Sequence, residues 1–353
     1  MQLTKNTGEA CASPFIDRSD YFIMAGLFMV SLLVWGPNVH YGHAYMFVVI
    51  GLVALAVMTK NIIIAAFGLY ASVWFAYIYA AAFLGIIPDE AVMQSIDTLV
   101  FIAAGLAVYS IVKNGKTSAR KYMNAICLLS IILSIIGLIQ YFYGQQAARA
   151  TLGNQNFLAA FLAISSPLFL RKKWWVALPV IALAIHTAHT STAIIALFVG
   201  LGFYFWKLRG AVIATIPGLL YYAIIDNHSL LQSERYSFWL DAVNKISNQW
   251  NTIIFGVGPG IYWQPGNMLH SEYVYLVFNF GIIGLLLAAA FICKTFAVVR
   301  VPNRHLLAAF VIIVVDCIGN HLFHTAPTAM LAIVIIALMG RDKKMEATHG
   351  ARS

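Results

Sequence analysis

Arg235 is the residue whose place in the sequence points most directly to chemistry. It follows Ser233 and Glu234, which are suited to the N-cap and first turn of a helix. The free N–H groups at a helix N-terminus attract anions, and an arginine adds a planar two-point donor that matches phosphate. A salt bridge to Glu234 or Asp241 is the alternative. The pattern therefore indicates a candidate anion site.

A second arginine of interest, Arg149, precedes a polar segment in which Asn154 and Asn156 flank a glutamine. The two asparagines can cap the helix that follows. They can also hydrogen-bond the hydroxyls of a sugar or the oxygens of a phosphate. The neighbouring Arg149 favours the interpretation as a ligand site.

His270 and Glu272 lie at the start of a long apolar segment. A histidine at a membrane–water boundary can exchange protons near neutral pH. Glu272 can orient that histidine, cap the helix or act as the base itself. An interfacial histidine without a chemical role is the alternative.

Metal chemistry has little support in the sequence. His321 and His324 are three residues apart and can share a helix face, but a zinc site needs a third ligand and partners that orient the ligands. The nearest acid, Asp316, lies deeper in its apolar run. The four cysteines show neither metal spacing nor a disulfide framework. We expect no metal and no cofactor.

The elements that position these residues are apolar runs. The chain is 61% hydrophobic and 10% charged, whereas a soluble domain has about 25% charged residues. A bilayer is spanned by about 20 apolar residues, and only a helix satisfies its own backbone there. The composition predicts an all-α polytopic membrane protein, a single domain over residues 1–353 with about twelve transmembrane helices. Six apolar runs near or above this length are Tyr21–Gly36, Ala44–Met58, Ile62–Leu84, Ile96–Val112, Tyr122–Tyr143 and Phe157–Leu170.

Basic residues set the predicted orientation. If each apolar run crosses the membrane, all but three of the 22 Lys and Arg residues fall on the same side of it. The exceptions are Arg149, Arg235 and Lys245. Because basic loops stay in the cytoplasm, we expect both termini to be cytoplasmic. The net charge of +9 then reflects topology and attraction to anionic membrane lipid, and does not indicate nucleic acid.

Two segments depart from the pattern of one apolar run for one span. Trp174–Trp206 would be about 50 Å long as one helix, which exceeds a hydrocarbon core of roughly 30 Å, and both of its ends are basic, with Arg171–Lys173 before it and Lys207 and Arg209 after it. We therefore predict that the chain crosses twice, as two short helices joined by an external hairpin at His186–Thr192. Residues 226–270 form a long external loop between spans 9 and 10. An apolar stripe from Tyr236 to Trp250 predicts an amphipathic helix lying on the membrane surface within that loop.

Three motifs occur in order on the external side: Arg149-x-x-x-Gly153-Asn154-Gln155-Asn156; Arg235-x-x-x-Trp239 with Phe255–Gly260; and His270-Ser271-Glu272-Tyr273 with Phe280–Leu285. Together they resemble the bacterial O-antigen ligase/O-antigen polymerase family over about residues 145–335. The family usually has a Ser-Arg pair after the short hairpin, whereas this chain has His189-Thr190-Ser191-Thr192.

The resemblance implies a fold like that of C-type glycosyltransferases and a metal-independent membrane glycosyltransferase of the bacterial inner membrane. Its donor would be a glycan on undecaprenyl diphosphate at the periplasmic face. The acceptor hydroxyl would belong to a glycan, to lipid A core or to a protein. The implied site residues are the catalytic pair His270 and Glu272, the diphosphate ligands Arg235 and Arg149, and the supporting residues Asn154, Asn156, Trp239 and Tyr273. His189 is the candidate that replaces the family's arginine as a further diphosphate ligand.

Other functions fit parts of the same pattern. A polysaccharide polymerase and a protein O-oligosaccharyltransferase differ from a ligase only in the acceptor, which the motifs do not specify. A lipid or solute transporter or flippase is the alternative from another class. It would favour charged residues deep in spans and broken helices, and Asp316 is the one acid that the sequence places deep.

Overall fold

The computed structural model describes residues 105–106, 108–115, 117–144, 147–171, 174–225, 234–258, 271–298, 303–324 and 326–341. His270, Ser233 and the spans expected before residue 105 lie outside the described residues. The helices are α1 (Ala119–Gly144), α2 (Gln155–Phe169), α3 (Leu178–Thr187), α4 (Ser191–Ile225), α5 (Glu234–Ser247), α6 (Trp250–Phe255), α7 (Glu272–Val298), α8 (Arg304–Asp316) and α9 (Ala326–Met339). The described part of the chain contains no strand.

Helix α2 is the buried centre of the bundle. Its residues from Leu158 to Phe169 are all buried, and it packs against α1, α3, α4, α8 and α9. Two serine hydroxyls, those of Ser165 and Ser166, donate to the Leu162 carbonyl oxygen at 3.0 and 2.7 Å. Ser130 of α1 donates to Ser165 Oγ at 2.8 Å. Because these hydroxyls have partners, α2 can be buried on all sides without the penalty of an unpaired polar group.

One end of the bundle carries clustered basic side chains and is called the basic end. There Arg171 Nη1 donates to Asn124 Oδ1 at 3.2 Å. Arg341 Nε donates to the Val112 carbonyl oxygen at 2.6 Å, and its guanidinium also donates to the Thr117 carbonyl. These bonds join the start of α1, the end of α2 and the end of α9. Helix α1 therefore runs in the opposite direction to α2 and α9.

The opposite end is called the polar end. Asn156, in the first turn of α2, accepts a hydrogen bond from Thr190, just before α4, at 3.1 Å. Asn320, which follows α8, donates to Thr192 Oγ1 at 2.9 Å. The starts of α2 and α4 therefore meet the end of α8 here.

The short hairpin predicted near His186–Thr192 is confirmed. Helix α3 ends at Thr187 and α4 begins at Ser191. The turn closes through the N–H of His189, which donates to the His186 carbonyl oxygen at 3.0 Å. Helix α3 has only 10 residues, as expected when a segment of this length is divided between two helices.

Helix α4 itself reverses direction. Trp206 (φ −128°, ψ 18°) and Lys207 (φ 56°, ψ −143°) are not helical. Across this turn Gly202 lies against Gly210, and Gly218 lies against Ile195. Because each pair is spaced about equally around residue 206, the two arms of α4 are antiparallel.

Among the described residues, three helices are long and apolar enough to cross a membrane: Ala119–Gly144, Ser191–Tyr221 and Glu272–Ala290. Shorter apolar helices cover Gln155–Phe169, Trp175–Thr187 and Pro327–Met339. The chain therefore has the character of a helical membrane protein. The reversal at Trp206–Lys207 divides the second long helix into two arms.

The helix predicted within the long loop is present as α5, but it is shorter than expected. It ends at Ser247, and Trp250 begins the separate helix α6. Ala242 and Ile246 pack against Phe278 of α7. Leu240 and Trp250 of the predicted apolar stripe are exposed, so the stripe faces outwards over most of its length.

Candidate functional site

The segment that carries Arg149 is tied to the end of α1 and to the short hairpin. Gln140 of α1 donates through Nε2 to the Ala150 carbonyl oxygen at 3.0 Å, and its Oε1 accepts from the Arg149 N–H at 3.4 Å. The Ala148 N–H donates to the Thr187 carbonyl oxygen at 3.1 Å. Arg149 is exposed. The backbone of Arg149 is thus held in place while its side chain remains accessible at the polar end.

Asn154 and Asn156 both make structural hydrogen bonds. Asn154 is the N-cap of α2, and its Oδ1 accepts from the Asn156 N–H at 2.8 Å. The capping interpretation is therefore confirmed for Asn154. The Oδ1 of Asn156 accepts from Thr190, which is 4% exposed. Asn156 thereby fixes the start of α2 against the hairpin.

The hairpin presents His189 beside α1. His189 has φ 51°, a left-handed conformation that few residues other than glycine adopt. Its ring centroid lies 6.0 Å from that of Tyr141 and 6.2 Å from that of His186. His186 Nδ1 is hydrogen-bonded to Tyr221 Oη at 2.9 Å. Because Tyr141 follows the residue that holds the Arg149 loop, His189 and Arg149 lie beside the same turn of α1.

Glu272 opens α7 and is 5% exposed. Its Oε1 accepts from the Phe323 N–H at 2.6 Å, and its own N–H donates to the Cys317 carbonyl oxygen at 3.0 Å. Two bonds therefore join the start of α7 to the segment after α8. A carboxyl group held in this way fixes where the chain leaves the long loop, directly after His270.

The segment after α8 connects Glu272 with the hairpin. Asn320 is 3% exposed and donates both to Asp316 Oδ1 at 2.7 Å and to Thr192 Oγ1 at 2.9 Å. The ring of His321 lies 6.2 Å from that of Tyr275, near edge-to-face. Sequence reasoning missed Asn320. The four-residue spacing from Asp316 at a helix end was the one signal that pointed to it.

The two glycine motifs of the second half pack on each other. The Val257 N–H donates to the Phe278 carbonyl oxygen at 2.8 Å, and the Gly258 N–H donates to the Asn279 carbonyl oxygen at 3.1 Å. Gly281 has φ 63° and kinks α7 at this point. The contact lies roughly 10–15 Å along α7 from Glu272, at about 1.5 Å per residue. The described part of the long loop, residues 234–258, is therefore docked on α7.

The remaining predicted site residues occupy different settings. Arg235 lies in the first turn of α5, as expected. Lys245 forms an ion pair with Asp241 at 3.1 Å. Trp239 is half-buried on α5. Tyr273 Oη donates to the Val314 carbonyl oxygen at 2.9 Å, which is a structural contact between α7 and α8.

Among the described residues, no group of three or more His, Cys, Asp or Glu side chains is arranged to hold a metal ion. No family model matches the chain. No curated protein matches it either.

Proposed function

We propose that the chain is a membrane glycosyltransferase that moves a glycan from undecaprenyl diphosphate to an acceptor hydroxyl at the polar end. One observation supports this most directly. The Arg149 segment, the hairpin with His189 and the start of α7 are far apart in the sequence, yet hydrogen bonds gather them at one end. Two of these segments carry motifs of the resemblance, and the hairpin is where the family has its Ser-Arg pair.

Arg149 and His189 provide the first part of a diphosphate site. Arg149 is an accessible cation on a backbone held by two bonds. His189 lies beside the same turn of α1. It stands near the position where the O-antigen ligase/O-antigen polymerase family has an arginine after the short hairpin. Arg235, in the first turn of α5, completes the proposed set. Preorganised cations stabilise negative charge as it grows on a leaving phosphate.

The reaction needs no metal. The acceptor oxygen attacks the anomeric carbon of the donor sugar, and the bond from that carbon to the phosphate oxygen breaks. The lipid diphosphate leaves with the bonding electrons. A general base takes the hydroxyl proton, and we assign that role to His270. Because Glu272 is buried and bonded to Phe323, we assign it the role of positioning His270.

The membrane setting follows from the charge pattern. We propose that about twelve helices cross the bacterial inner membrane, with both termini in the cytoplasm and the polar end in the periplasm. Asn154, Asn156, Trp239 and Tyr273 act as supporting residues. The acceptor is lipid A core in a ligase, a growing glycan in a polymerase, or a protein in an O-oligosaccharyltransferase.

A lipid or solute transporter is the second candidate, and two observations favour it. Asp316 is fully buried, and ionisable groups within membranes often mark transport pathways. Helices α4 and α7 are both broken, a feature of transporter binding sites. Asp316 also accepts a hydrogen bond from Asn320. Asn320 makes a second bond, to Thr192, which is one of the contacts at the polar end.

Donor binding to the purified protein tests the diphosphate site. A hydrogen bond to a charged group contributes about 1.5–3 kcal/mol, so Arg149→Ala should weaken binding of an undecaprenyl-diphosphate-linked glycan by roughly 10- to 150-fold. Lys245→Ala is the matched control, because it removes a cation that already has a partner. Equal effects of the two substitutions would exclude Arg149 from the site.

A further inference from the structure

An apolar groove lies between the two arms of α4, next to the turn at the basic end. Its volume is about 330 Å³, which is at the lower end of the usual range for small-molecule pockets. Only apolar side chains and glycines line it, among them Phe198, Leu201, Phe205, Trp206, Ile213 and Pro217. No part of it reaches the proposed glycosyltransferase site.

The groove follows from the way in which the arms meet. They approach closely where Gly202 lies against Gly210, and a side chain at either glycine would overlap the opposite backbone. Larger apolar side chains line the groove beside this contact. Three of them, Phe205, Trp206 and Ile213, are 56%, 68% and 64% exposed. In a membrane protein such an exposed apolar surface faces acyl chains.

The turn at the end of the groove carries two cations. Lys207 and Arg209 are both exposed, and neither forms an ion pair with any side chain in the described part of the chain. Trp206 lies next to them, as expected for an aromatic residue at the membrane–water interface. An apolar groove thus ends directly at a pair of accessible positive charges.

Lys207 also has an unusual backbone conformation. Its φ of 56° lies in the region that favours glycine. A lysine keeps backbone strain at this turn that a glycine would remove. The charge of Lys207 can therefore be removed by substitution with glycine without adding strain at this turn.

We propose that the groove binds an acyl chain of an anionic phospholipid whose headgroup phosphate is held by Lys207 and Arg209. The arginine supplies a two-point donor for the phosphate, and the lysine supplies a compact charge. Both side chains can lie along the apolar surface and keep their charged ends in the headgroup layer. The net negative charge of the lipid selects it over a zwitterionic phospholipid.

Native mass spectrometry of the full-length protein, extracted from vesicles with equal parts of phosphatidylglycerol and phosphatidylcholine, tests this site. We expect the wild-type protein to retain phosphatidylglycerol preferentially. At about 1 kcal/mol per basic residue, Lys207→Gly combined with Arg209→Gln should reduce that preference by roughly 30-fold. Lys207→Gly also relieves the backbone strain, so thermal stability should not fall.

Two further variants locate the effect. Arg120→Gln combined with Lys121→Gln removes the same charge from exposed positions at the start of α1, and it should leave lipid preference unchanged. Ile213→Trp should fill the groove and reduce retention although both cations remain. Equal retention of the two lipids by the wild-type protein would overturn the proposal. It would also fail if the Arg120/Lys121 variant lost as much preference as the Lys207/Arg209 variant, or if Ile213→Trp retained lipid normally.

Discussion

Gly281→Ala is a sharp test of how the long loop is docked. Gly281 has φ 63°, and a Cβ there would overlap the Ile254 carbonyl group of α6. The substitution cannot be accommodated by a side-chain rotation, because the obstacle is backbone. Either α6 moves away from α7 or the kink in α7 changes.

The expected cost can be worked out from these contacts. The left-handed conformation costs about 1–2 kcal/mol for a residue with a Cβ. Displacing α6 also breaks the two bonds from Val257 and Gly258 to α7, each contributing about 0.5–1.5 kcal/mol. We expect a total of roughly 2–5 kcal/mol against the docked loop.

Hydrogen–deuterium exchange measures this directly. Amide protection over α5 and α6 should fall in Gly281→Ala, and glycan transfer should fall with it because Arg235 is carried by α5. Gly144→Ala is the matched control. In the described part of the chain, no other side chain or packed segment lies within 4 Å of a Cβ at Gly144, so its effect should stay below about 1 kcal/mol. If both variants exchanged alike, the docking contact would have no energetic importance.

Further predictions concern the hairpin, the chemistry and the topology. Thr190→Val removes the donor to Asn156 and should lower the free energy of unfolding by about 1–3 kcal/mol, measured by denaturant titration in detergent; an unchanged midpoint would contradict it. His270→Ala should preserve donor affinity and lower single-turnover transfer by about 10²–10⁴-fold, and near-normal turnover would reassign the base. Arg235→Ala should weaken donor binding, and Arg235→Lys should restore little of the lost affinity, since lysine lacks the planar two-point donor of arginine. A cysteine at the exposed Asn248 should react with an impermeant thiol reagent from the periplasmic side, and labelling only from the cytoplasm would reverse the topology. Transfer should continue in chelator, and restoration by one added metal would show otherwise.

The sequence predicted the elements better than their contacts. Division of Trp174–Trp206 into two helices followed from length and charge, and α3 and α4 confirm it. The helix in the long loop followed from the periodicity of its apolar residues. The predicted end of this helix was wrong. Trp250 fits the same period, but the helix ends at Ser247 and Trp250 begins the next one.

The contacts at the polar end depend on tertiary structure that periodicity does not encode. Asn320 bonds to Thr192, which is 128 residues away, and no local pattern links the two. Asn156 was predicted either to cap its helix or to bind a ligand, but its side-chain Oδ1 accepts a hydrogen bond from Thr190 in the hairpin. The turn inside α4 was expected from its basic residues, whereas the groove beside it depends on how closely two glycines approach.

Release of undecaprenyl diphosphate by the purified protein is the most direct measurement of the proposed activity. With a lipid-linked glycan and an acceptor, we expect the wild-type protein to release one undecaprenyl diphosphate for each glycan transferred, and His270→Ala to release little. The donor should not be consumed without cleavage of the bond between sugar and phosphate. Translocation of intact donor across reconstituted vesicles, without any release of undecaprenyl diphosphate, would contradict the glycosyltransferase and identify a transporter.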